Sequence, residues 1–368
     1  MRNRATVLGI SIDVLTLDML LEAIERFASS SGKSHQIAYL NVDCVNQYYR
    51  NSAYKETIDG ADLVYADGMG VVWASKLFGT ALPERLTAAD FFDKVCELSE
   101  RRGFRLFLLG SEPGVSELAA EKLRGQFPKL QIVGTESGFF DEEQERALIS
   151  RIKAAKPDML IVGMSVPRQE LWIRRHIDSL NVPLCWGVGA LLEYVSGRTS
   201  RAPKWMRNSG LEWSYRLLLE PSRLWRRYLV GNVRFALRAF LLVITDVVAF
   251  SLSWVGAYFI RAALTNAFGV PINPIDGYIV ALPLMVFLWV MTCLFFGLYR
   301  RPSETRRFAE FVSILKVTIL ASLIVSATSF VFKGFDFGRS VVLISVFLNF
   351  IALTTSRLIA RAIDRKRG

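Results

Sequence analysis

Apolar and polar positions follow one pattern over the first half of the chain and another over its last third. From Met1 to about Val195, short apolar runs ending at turn-forming or polar residues alternate with amphipathic segments. This alternation is typical of an α/β fold, a Rossmann-like parallel sheet with flanking helices. Strands are predicted at Gln36–Asn41, Leu63–Tyr65, Arg105–Leu109, Gln131–Gly134, Met159–Gly163 and Leu184–Gly187. Amphipathic helices are predicted between them, including Ala88–Arg102, Val115–Gln126 and Glu142–Ala155.

The last third of the chain carries long apolar runs. They are Ala239–Ile260, Tyr278–Leu298, Phe311–Phe332 and Ser340–Ser356. A helix needs roughly 20 apolar residues to cross a bilayer, and these runs are about that long. A buried helical core explains them less well, because this part of the chain offers too little polar surface to cover it. The pattern predicts an α/β domain over residues 1–197, a basic and aromatic segment over 198–232, and an all-α domain of four transmembrane helices over 233–368.

Arginines and lysines are unevenly distributed among the loops that flank these runs. Two of the loops hold only Arg261, and Lys333 with Arg339. Three other regions are rich in basic residues: Arg223, Arg226, Arg227, Arg234 and Arg238 before the first run, Arg300, Arg301, Arg306 and Arg307 between the second and third, and Arg361, Arg365, Lys366 and Arg367 after the last. Cytoplasmic loops carry an excess of Lys and Arg. The chain is therefore expected in the bacterial inner membrane, with both termini and the α/β domain on the cytoplasmic face.

Two further features bear on this topology. Met1–Arg4 is basic, but the apolar stretch that follows is short and is interrupted by Asp13. We therefore expect no signal peptide. Asp246 and Lys316 fall inside the apolar runs, where a charge facing lipid is unfavourable. They are interpreted either as a pair or as partners of a polar lipid headgroup.

The formal net charge of +11 has two interpretations. Because the arginines flank apolar runs, the favoured interpretation is charge at the membrane surface and in loops. Nucleic-acid binding is the less favoured one. The chain has two histidines, so a His-based triad or a multi-His metal site is not expected. Its four cysteines are scattered, with no CxxC pair, which indicates reduced cytosolic thiols.

Residues 198–228 mix arginine with tryptophan and tyrosine, which suits a headgroup region or a pyrophosphate site; a solvated helix face is the alternative.

Candidate chemistry lies where predicted strands end, because parallel sheets bind ligands at their carboxyl edge. Asp67 follows the strand Leu63–Tyr65 and precedes Gly68 and Gly70, which would let a ligand approach the backbone. With so little histidine, Asp67 is a candidate general base for a sugar hydroxyl. A turn or helix N-cap is the alternative role. Gly110 follows the predicted strand Arg105–Leu109 and is a candidate binding position.

Two further segments combine a strand end with a predicted helix start. Gly163–Glu170 includes Arg168, Gln169 and Glu170, which could hold a nucleotide or a sugar near a helix N-terminus. Gly187–Glu193 includes Gly189, but Leu192 stands where a dinucleotide fingerprint needs its third glycine. The segment still fits a nucleotide-diphosphate loop, with Glu193 either accepting hydrogen bonds from a base or ribose, or simply exposed.

The α/β half contains no D-x-D motif, which many sugar-nucleotide enzymes use to hold a divalent metal. Protein cations would then stabilise the leaving diphosphate. Arg85 and the arginines beyond Arg198 are candidates. We expect no metal and no cofactor.

These residues closely resemble the WecG/TagA/CpsF glycosyltransferases, glycosyltransferase family 26, over about Val7 to Leu229. The motifs that carry the resemblance are Asn41, Tyr65–Gly68, Arg85, Pro167–Glu170, Gly187–Gly189, Arg201–Pro203, Gly210–Trp213 and Pro221–Arg223. The resemblance implies a metal-independent, inverting transferase that acts on a polyprenyl-diphosphate-linked saccharide in envelope or exopolysaccharide synthesis. The implied donor is a UDP-linked hexose-type sugar, such as N-acetylmannosamine, its uronic acid or glucose.

The resemblance also implies roles for single residues. The catalytic aspartate falls on Asp67, and the active-site asparagine, arginine and glutamine fall on Asn41, Arg85 and Gln169. Tail arginines that close over the site at the membrane fall near Arg216, Arg223 and Arg226. Some members carry threonine where this chain has Tyr39, so the resemblance does not specify the donor or the acceptor.

Residues 235–368 resemble the membrane region that begins large polyprenyl-phosphate sugar-phosphate transferases, through Gly297–Pro302 and Phe337–Ser340. The sequence ends soon after the fourth apolar run, so the phosphotransfer reaction of those enzymes is not expected. The expected partners are the UDP-sugar, the lipid-linked acceptor and the bilayer, but not nucleic acid. A sugar-phosphate transferase and a second copy of the chain are further candidate partners.

Two other functions compete with this interpretation. A non-catalytic membrane scaffold that recruits a sugar-phosphate transferase would not need Asp67, Arg85 and Gln169 together. A membrane-tethered Rossmann oxidoreductase would need the glycine fingerprint that Leu192 interrupts.

Overall fold

The computed structural model of the chain describes residues 3–77, 81–265, 269, 271–299, 307–331 and 338–367. The chain forms two compact units; apart from Leu77, which is assigned to the second, the first ends at Ala236 and the second begins at Leu237.

The first unit is built on a sheet of six parallel strands. They are β3 (His35–Leu40), β4 (Leu63–Ala66), β5 (Arg105–Gly110), β6 (Gln131–Glu136), β7 (Met159–Gly163) and β8 (Leu184–Gly187). Their order across the sheet is β4-β3-β8-β7-β5-β6. All six strand predictions are confirmed, since a strand buried on both faces is a nearly continuous apolar run.

An antiparallel hairpin precedes the sheet and is not predicted by the apolar pattern. Its strands are β1 (Arg4–Val7) and β2 (Ile10–Asp13). Asp13 interrupts the apolar pattern, yet it is buried, because its carboxylate accepts hydrogen bonds from the Arg4 Nε (3.1 Å) and the Val64 backbone N–H (2.9 Å). This side chain fastens the hairpin to β4.

Helices flank the sheet. They are α1 (Leu17–Ala28), α2 (Val42–Tyr48), α3 (Ser52–Asp59), α4 (Met69–Leu77), α5 (Ala88–Arg102), α6 (Val115–Gln126), α7 (Glu142–Ala155), α8 (Arg168–Leu180) and α9 (Leu191–Val195). The predicted bounds of α5, α6 and α7 are confirmed. The start of α7 is set by Asp141, which forms a capping box with Gln144.

The basic and aromatic segment folds as short helices within the first unit. They are α10 (Lys204–Asn208), α11 (Glu212–Leu219) and α12 (Pro221–Trp225). A π-helical turn, Arg226–Val230, follows and leads into α13 (Gly231–Ala263).

The second unit is helical. Its helices are the remainder of α13, then α14 (Ile275–Phe295), α15 (Arg307–Val331) and α16 (Arg339–Arg367). In the part of the chain that the structure describes, four stretches are long and apolar enough to cross a membrane: Phe240–Ala263, Ile275–Phe295, Phe308–Thr328 and Arg339–Ala360. This confirms the four predicted apolar helices. Several residues used for topology and resemblance lie outside the described residues or have undescribed side chains: Arg238, Arg300, Arg301, Pro302, Arg306, Arg307, Lys333, Phe337, Arg361, Arg365, Lys366 and Arg367.

The interpretation of Asp246 and Lys316 as a pair is wrong. Asp246 of α13 instead accepts two hydrogen bonds from Arg357 of α16, at 2.9 and 2.7 Å. Both side chains are buried, and the Arg357 guanidinium lies 5.6 Å from the centre of the Tyr299 ring. Lys316 is exposed on α15. A buried carboxylate needs a donor that can fill both of its oxygens, and the planar guanidinium does so.

Candidate active site

A cleft of about 420 Å³ opens at the carboxyl edge of the sheet, within the first unit. Residues that follow all six strands line it: Asn41 after β3, Asp67 after β4, Ser111 after β5, Gly138 after β6, Met164 after β7 and Gly189 after β8. This is where parallel sheets bind ligands, and the volume is typical of small-molecule sites.

Asp67 is held at the floor of the cleft by its neighbours. Its backbone N–H donates to the Leu40 carbonyl (2.9 Å), and its Oδ1 accepts a hydrogen bond from the Thr87 hydroxyl (2.7 Å). The next residue, Gly68, has a φ of 98°, a conformation that favours glycine. The chain thus turns away at once and leaves the carboxylate facing the cleft.

Asn41 connects this carboxylate to the start of α2. Its Oδ1 accepts from the backbone N–H groups of Asp43 (3.0 Å) and Cys44 (3.1 Å), which caps the helix. Its side chain also hydrogen-bonds with Asp67. An amide can do both because it carries an acceptor at one end and donors at the other.

Opposing influences set the proton affinity of Asp67. Burial is the largest, and it raises the pKa of the Asp67 carboxyl above its ordinary value; the carboxylate of Glu212 acts in the same direction. Hydrogen bonding from Thr87 and Asn41 and the charge of Arg85 act in the opposite direction without reversing the shift. A raised pKa makes the carboxylate a stronger base than an exposed aspartate.

Arg85 lies in the cleft within a network of acids and arginines. Its guanidinium donates to Asp90 (2.6 Å) and to Glu212 (3.4 Å). Arg201 pairs with both acids, and Arg207 pairs with Asp90. Three arginines share two carboxylates, so the network keeps one positive charge and holds Arg85 in place.

A second group of arginines lines the cleft from the segment after α9. Arg216 lies 5.8 Å over the Tyr194 ring, and burial of its Nε leaves that atom without a hydrogen-bond partner among the described residues. Arg227 is paired with Asp43 at 3.2 Å. Burial alone would lower the pKa of Arg227, but the charge of Asp43, together with smaller contributions from Tyr228, Tyr39 and Cys44, outweighs burial, and the pKa is raised. Arg223 is exposed at the rim.

Gln169 and Glu170, predicted to bind substrate, are buried and do not line the cleft. The Gln169 Nε2 donates to the Glu170 Oε1 (2.7 Å), and its Oε1 accepts from the backbone N–H of Gly189 (3.0 Å). Burial raises the pKa of Glu170 to about 7. Gln169 therefore holds the loop that contains Gly189, and Glu170 holds the Gln169 amide in position.

The other predicted binding residues are divided between the cleft and its surroundings. Arg168 and Glu193 line the cleft, and Arg168 lies 5.0 Å over the Phe140 ring. Gly110 and Gly187 lie at strand ends where a Cβ would overlap the Gly163 carbonyl and the Gln169 amide respectively, so packing explains both glycines. Arg226 is exposed and does not line the cleft.

Asp43, Thr87 and Tyr228 line the cleft but are not among the candidates named from the sequence, and Arg227 is covered only by the general group of arginines beyond Arg198. Residues three and four positions apart lie on the same face of an α-helix. An α-helical pattern that starts at Arg223 therefore places both Arg226 and Arg227 on the face of Arg223 and cannot show which of them lines the cleft. The chain forms a π-helical turn over Arg226–Val230, in which Arg227 and Tyr228, but not Arg226, line the cleft.

Asp43, Asp90 and Glu212, which lie near the cleft, are each paired with an arginine. Within the described ranges, no three His, Cys, Asp or Glu side chains are grouped closely enough to hold a metal ion.

A sequence profile of the glycosyl transferase WecG/TagA/CpsF family matches residues 5–246. Similar proteins include two from Staphylococcus aureus, strains NCTC 8325 / PS 47 and MRSA252, each named N-acetylglucosaminyldiphosphoundecaprenol N-acetyl-beta-D-mannosaminyltransferase. Each is 33% identical to this chain over 224 residues, which cover 61% of the chain and 87% of the relative. The profile covers more than half of the 368 residues. The chain therefore belongs to the WecG/TagA/CpsF family of glycosyltransferases, as its motifs predict.

Proposed function

We propose that this protein transfers a hexose-type sugar from a UDP donor to a polyprenyl-diphosphate-linked saccharide, with inversion at the anomeric carbon. The observation that carries the proposal is a single cleft that combines the Asp67 carboxylate with the cations of Arg85, Arg216 and Arg227. The related mannosaminyltransferases, whose names specify a diphosphoundecaprenol-linked acceptor, support the substrate class.

The cleft residues suit an in-line displacement. Asp67 takes the proton of the acceptor hydroxyl while the hydroxyl oxygen forms a bond to the anomeric carbon. The bond from that carbon to the diphosphate oxygen breaks, and its electron pair leaves with UDP. Attack opposite the leaving group inverts the configuration. The negative charge that develops on the diphosphate is stabilised by fixed guanidinium groups.

The test is a donor screen with the purified full-length protein and a polyprenyl-diphosphate-linked saccharide. Several UDP-sugars are offered in parallel, and the product linkage is determined by NMR. A β-configured product from an α-linked donor would support the proposal. Retention of configuration, or no transfer from any UDP-sugar to any lipid-linked acceptor, would contradict it.

The charge of the leaving diphosphate leads to a prediction about metals. Dialysis against EDTA is expected to leave turnover essentially unchanged, because arginine guanidinium groups take the part that a divalent ion plays elsewhere. Initial rates before and after treatment measure this. The contrary result is turnover that EDTA abolishes and Mg²⁺ or Mn²⁺ restores.

A matched pair of arginine variants shows whether UDP-sugar binding depends on an arginine in the cleft or only on the positive charge of the whole protein. Arg216→Met should weaken UDP-sugar binding, since the Arg216 guanidinium faces the cleft without an ion-pair partner in the described structure. Arg151→Met should not, because Arg151 is paired with Glu136 on the surface. Equal effects of the two changes would argue against a specific diphosphate site.

We also propose that the four apolar helices anchor the enzyme in the inner membrane, with the α/β unit on the cytoplasmic face. A polyprenyl chain does not leave the bilayer readily, since each CH₂ moved into water costs roughly 0.8 kcal/mol. Anchoring confines enzyme and acceptor to one surface and raises their effective concentration.

Cysteine labelling in intact cells measures this topology. A cysteine at Asn273, which is exposed between α13 and α14, should react with a membrane-impermeant reagent. A cysteine at Ser303, outside the described residues, should react only after permeabilisation. The four native cysteines are buried and give little background. The reverse labelling pattern would contradict the orientation.

A further inference from the structure

Thr87 occupies a helix N-cap position but does not use its side chain as a cap. It precedes α5 with extended backbone angles (φ −99°, ψ 119°), and its hydroxyl makes no hydrogen bond to the first turn. An N-cap threonine ordinarily accepts one there. The hydroxyl instead donates to the Asp67 Oδ1 at 2.7 Å.

The backbone around Thr87 is fixed independently of this hydroxyl. The carbonyl of Thr87 accepts from the Asp90 N–H (2.8 Å), so the first turn of α5 forms without a side-chain cap. The N–H of Leu86 donates to the Ala66 carbonyl (2.8 Å), which ties this segment to the end of β4. Leu86 is buried as well. These backbone hydrogen bonds to β4 and to α5 therefore hold Thr87 where its hydroxyl reaches Asp67.

We propose that Thr87 is a positioning residue for the base Asp67. Its hydroxyl fixes the rotation of the carboxylate and stabilises the ionised form, so that the carboxylate is aligned to accept the proton of the substrate hydroxyl. The inference rests on the proposed function, in which Asp67 is the base. A hydrogen bond donated to a charged acceptor is among the stronger ones in proteins.

Other groups around Asp67 also influence its ionisation and stay constant in the experiment. Asn41 hydrogen-bonds with the carboxylate, Arg85 favours its charge and Glu212 opposes it. The buried phenols of Tyr39 and Tyr65 also interact electrostatically with Asp67. A change at Thr87 alone therefore reports the contribution of one hydrogen bond.

The test compares Thr87→Val with Thr87→Ser in the full-length protein. Valine keeps the shape and removes the donor, so kcat should fall roughly 10–100-fold, as expected for losing a hydrogen bond to a charged group. The acidic limb of the kcat–pH profile should move up by about one unit, because the carboxylate loses stabilisation. Serine restores the donor and should restore both properties, while KM for the donor changes little in either variant.

A matched control is Thr16→Val. Thr16 is also an N-cap, and its side chain does cap its helix, accepting from the Met19 N–H at 3.4 Å. This change should lower thermal stability and leave the acidic limb in place. A Thr87→Val enzyme with the wild-type limb and kcat would overturn the proposal, as would a limb that moves equally in Thr16→Val.

The double variant with Asp67→Asn separates this inference from the proposed function. If Thr87 acts through Asp67, adding Thr87→Val to Asp67→Asn should cause no further loss of the residual turnover. A further loss as large as in the wild-type background would overturn the positioning role. An Asp67→Asn enzyme with full activity would instead refute the assignment of the base on which the inference depends.

Discussion

Replacing Asp67 with asparagine is expected to reduce turnover by roughly 10²–10⁴-fold, the usual contribution of general-base catalysis. Asparagine has nearly the same shape, and its carbonyl oxygen can still accept the hydrogen bond from Thr87. The variant should therefore fold normally and bind UDP about as well as the wild type. Turnover with a lipid-linked acceptor and UDP binding by calorimetry measure the two effects separately.

Asp62→Asn is the matched control for this variant. Asp62 lies just before β4, at the opposite end of the strand from Asp67, and its carboxylate accepts from the Gln36 N–H (3.0 Å). The same chemical change is made, but far from the cleft. Turnover below the melting temperature should be close to that of the wild type. Comparable losses in both variants, or an active Asp67→Asn enzyme, would contradict the assignment of the base.

The wild-type pH profile should show the environment of this base. Below the pKa of Asp67 the carboxyl is protonated and cannot take a proton, so kcat rises with pH through that pKa and then levels off. Because burial raises the pKa, the midpoint should lie above about 3.9, the value for an unperturbed aspartate. The limb should be absent from the residual activity of Asp67→Asn.

The strands could be predicted from the sequence because burial leaves a local mark. A residue run such as Met159–Gly163 is apolar at nearly every position, and the structure buries all of it. Asp67 is also visible locally, as an acid between an apolar strand and a glycine. The β1–β2 hairpin could not be predicted in this way, because its buried strand contains a charged residue. The burial of Asp13 is explained only by its distant partner, the backbone N–H of Val64 on β4.

The residues that support the cleft residues could not be predicted, because their roles depend on contacts between distant segments. Gln169 and Glu170 have the polarity of ligand-binding residues, yet the fold buries them under the Gly189 loop. Thr87 looks like any other helix cap, and only the tertiary structure shows that its hydroxyl faces Asp67, 20 residues earlier. A polar residue at a helix start has several possible partners, and the sequence does not rank them.

The same limit applies to the pair of Asp246 and Lys316, one of the two interpretations that the apolar runs suggest. Both charges fall inside apolar runs, whereas Arg357 follows the fourth predicted run. The structure extends α16 well beyond that point and buries Arg357 against Asp246, 111 residues away.

Replacing Arg357 with leucine is expected to destabilise the helical unit by roughly 3–5 kcal/mol, because it leaves the buried Asp246 carboxylate without its partner. Lys316→Leu removes the same kind of charge from an exposed position on α15 and should be nearly neutral or slightly stabilising. Unfolding in detergent micelles, followed with a fluorophore attached to the helical unit, compares the two.

The double variant Asp246→Leu with Arg357→Leu shows whether the loss comes from the unpaired charge or from packing. If the orphaned carboxylate is the cause, removing it should recover most of the stability, since replacing both members of a buried pair with apolar groups is often neutral. A double variant as unstable as Arg357→Leu would assign the loss to packing against Tyr299 instead. An Arg357→Leu protein as stable as Lys316→Leu would show that the pair does not hold α13 to α16.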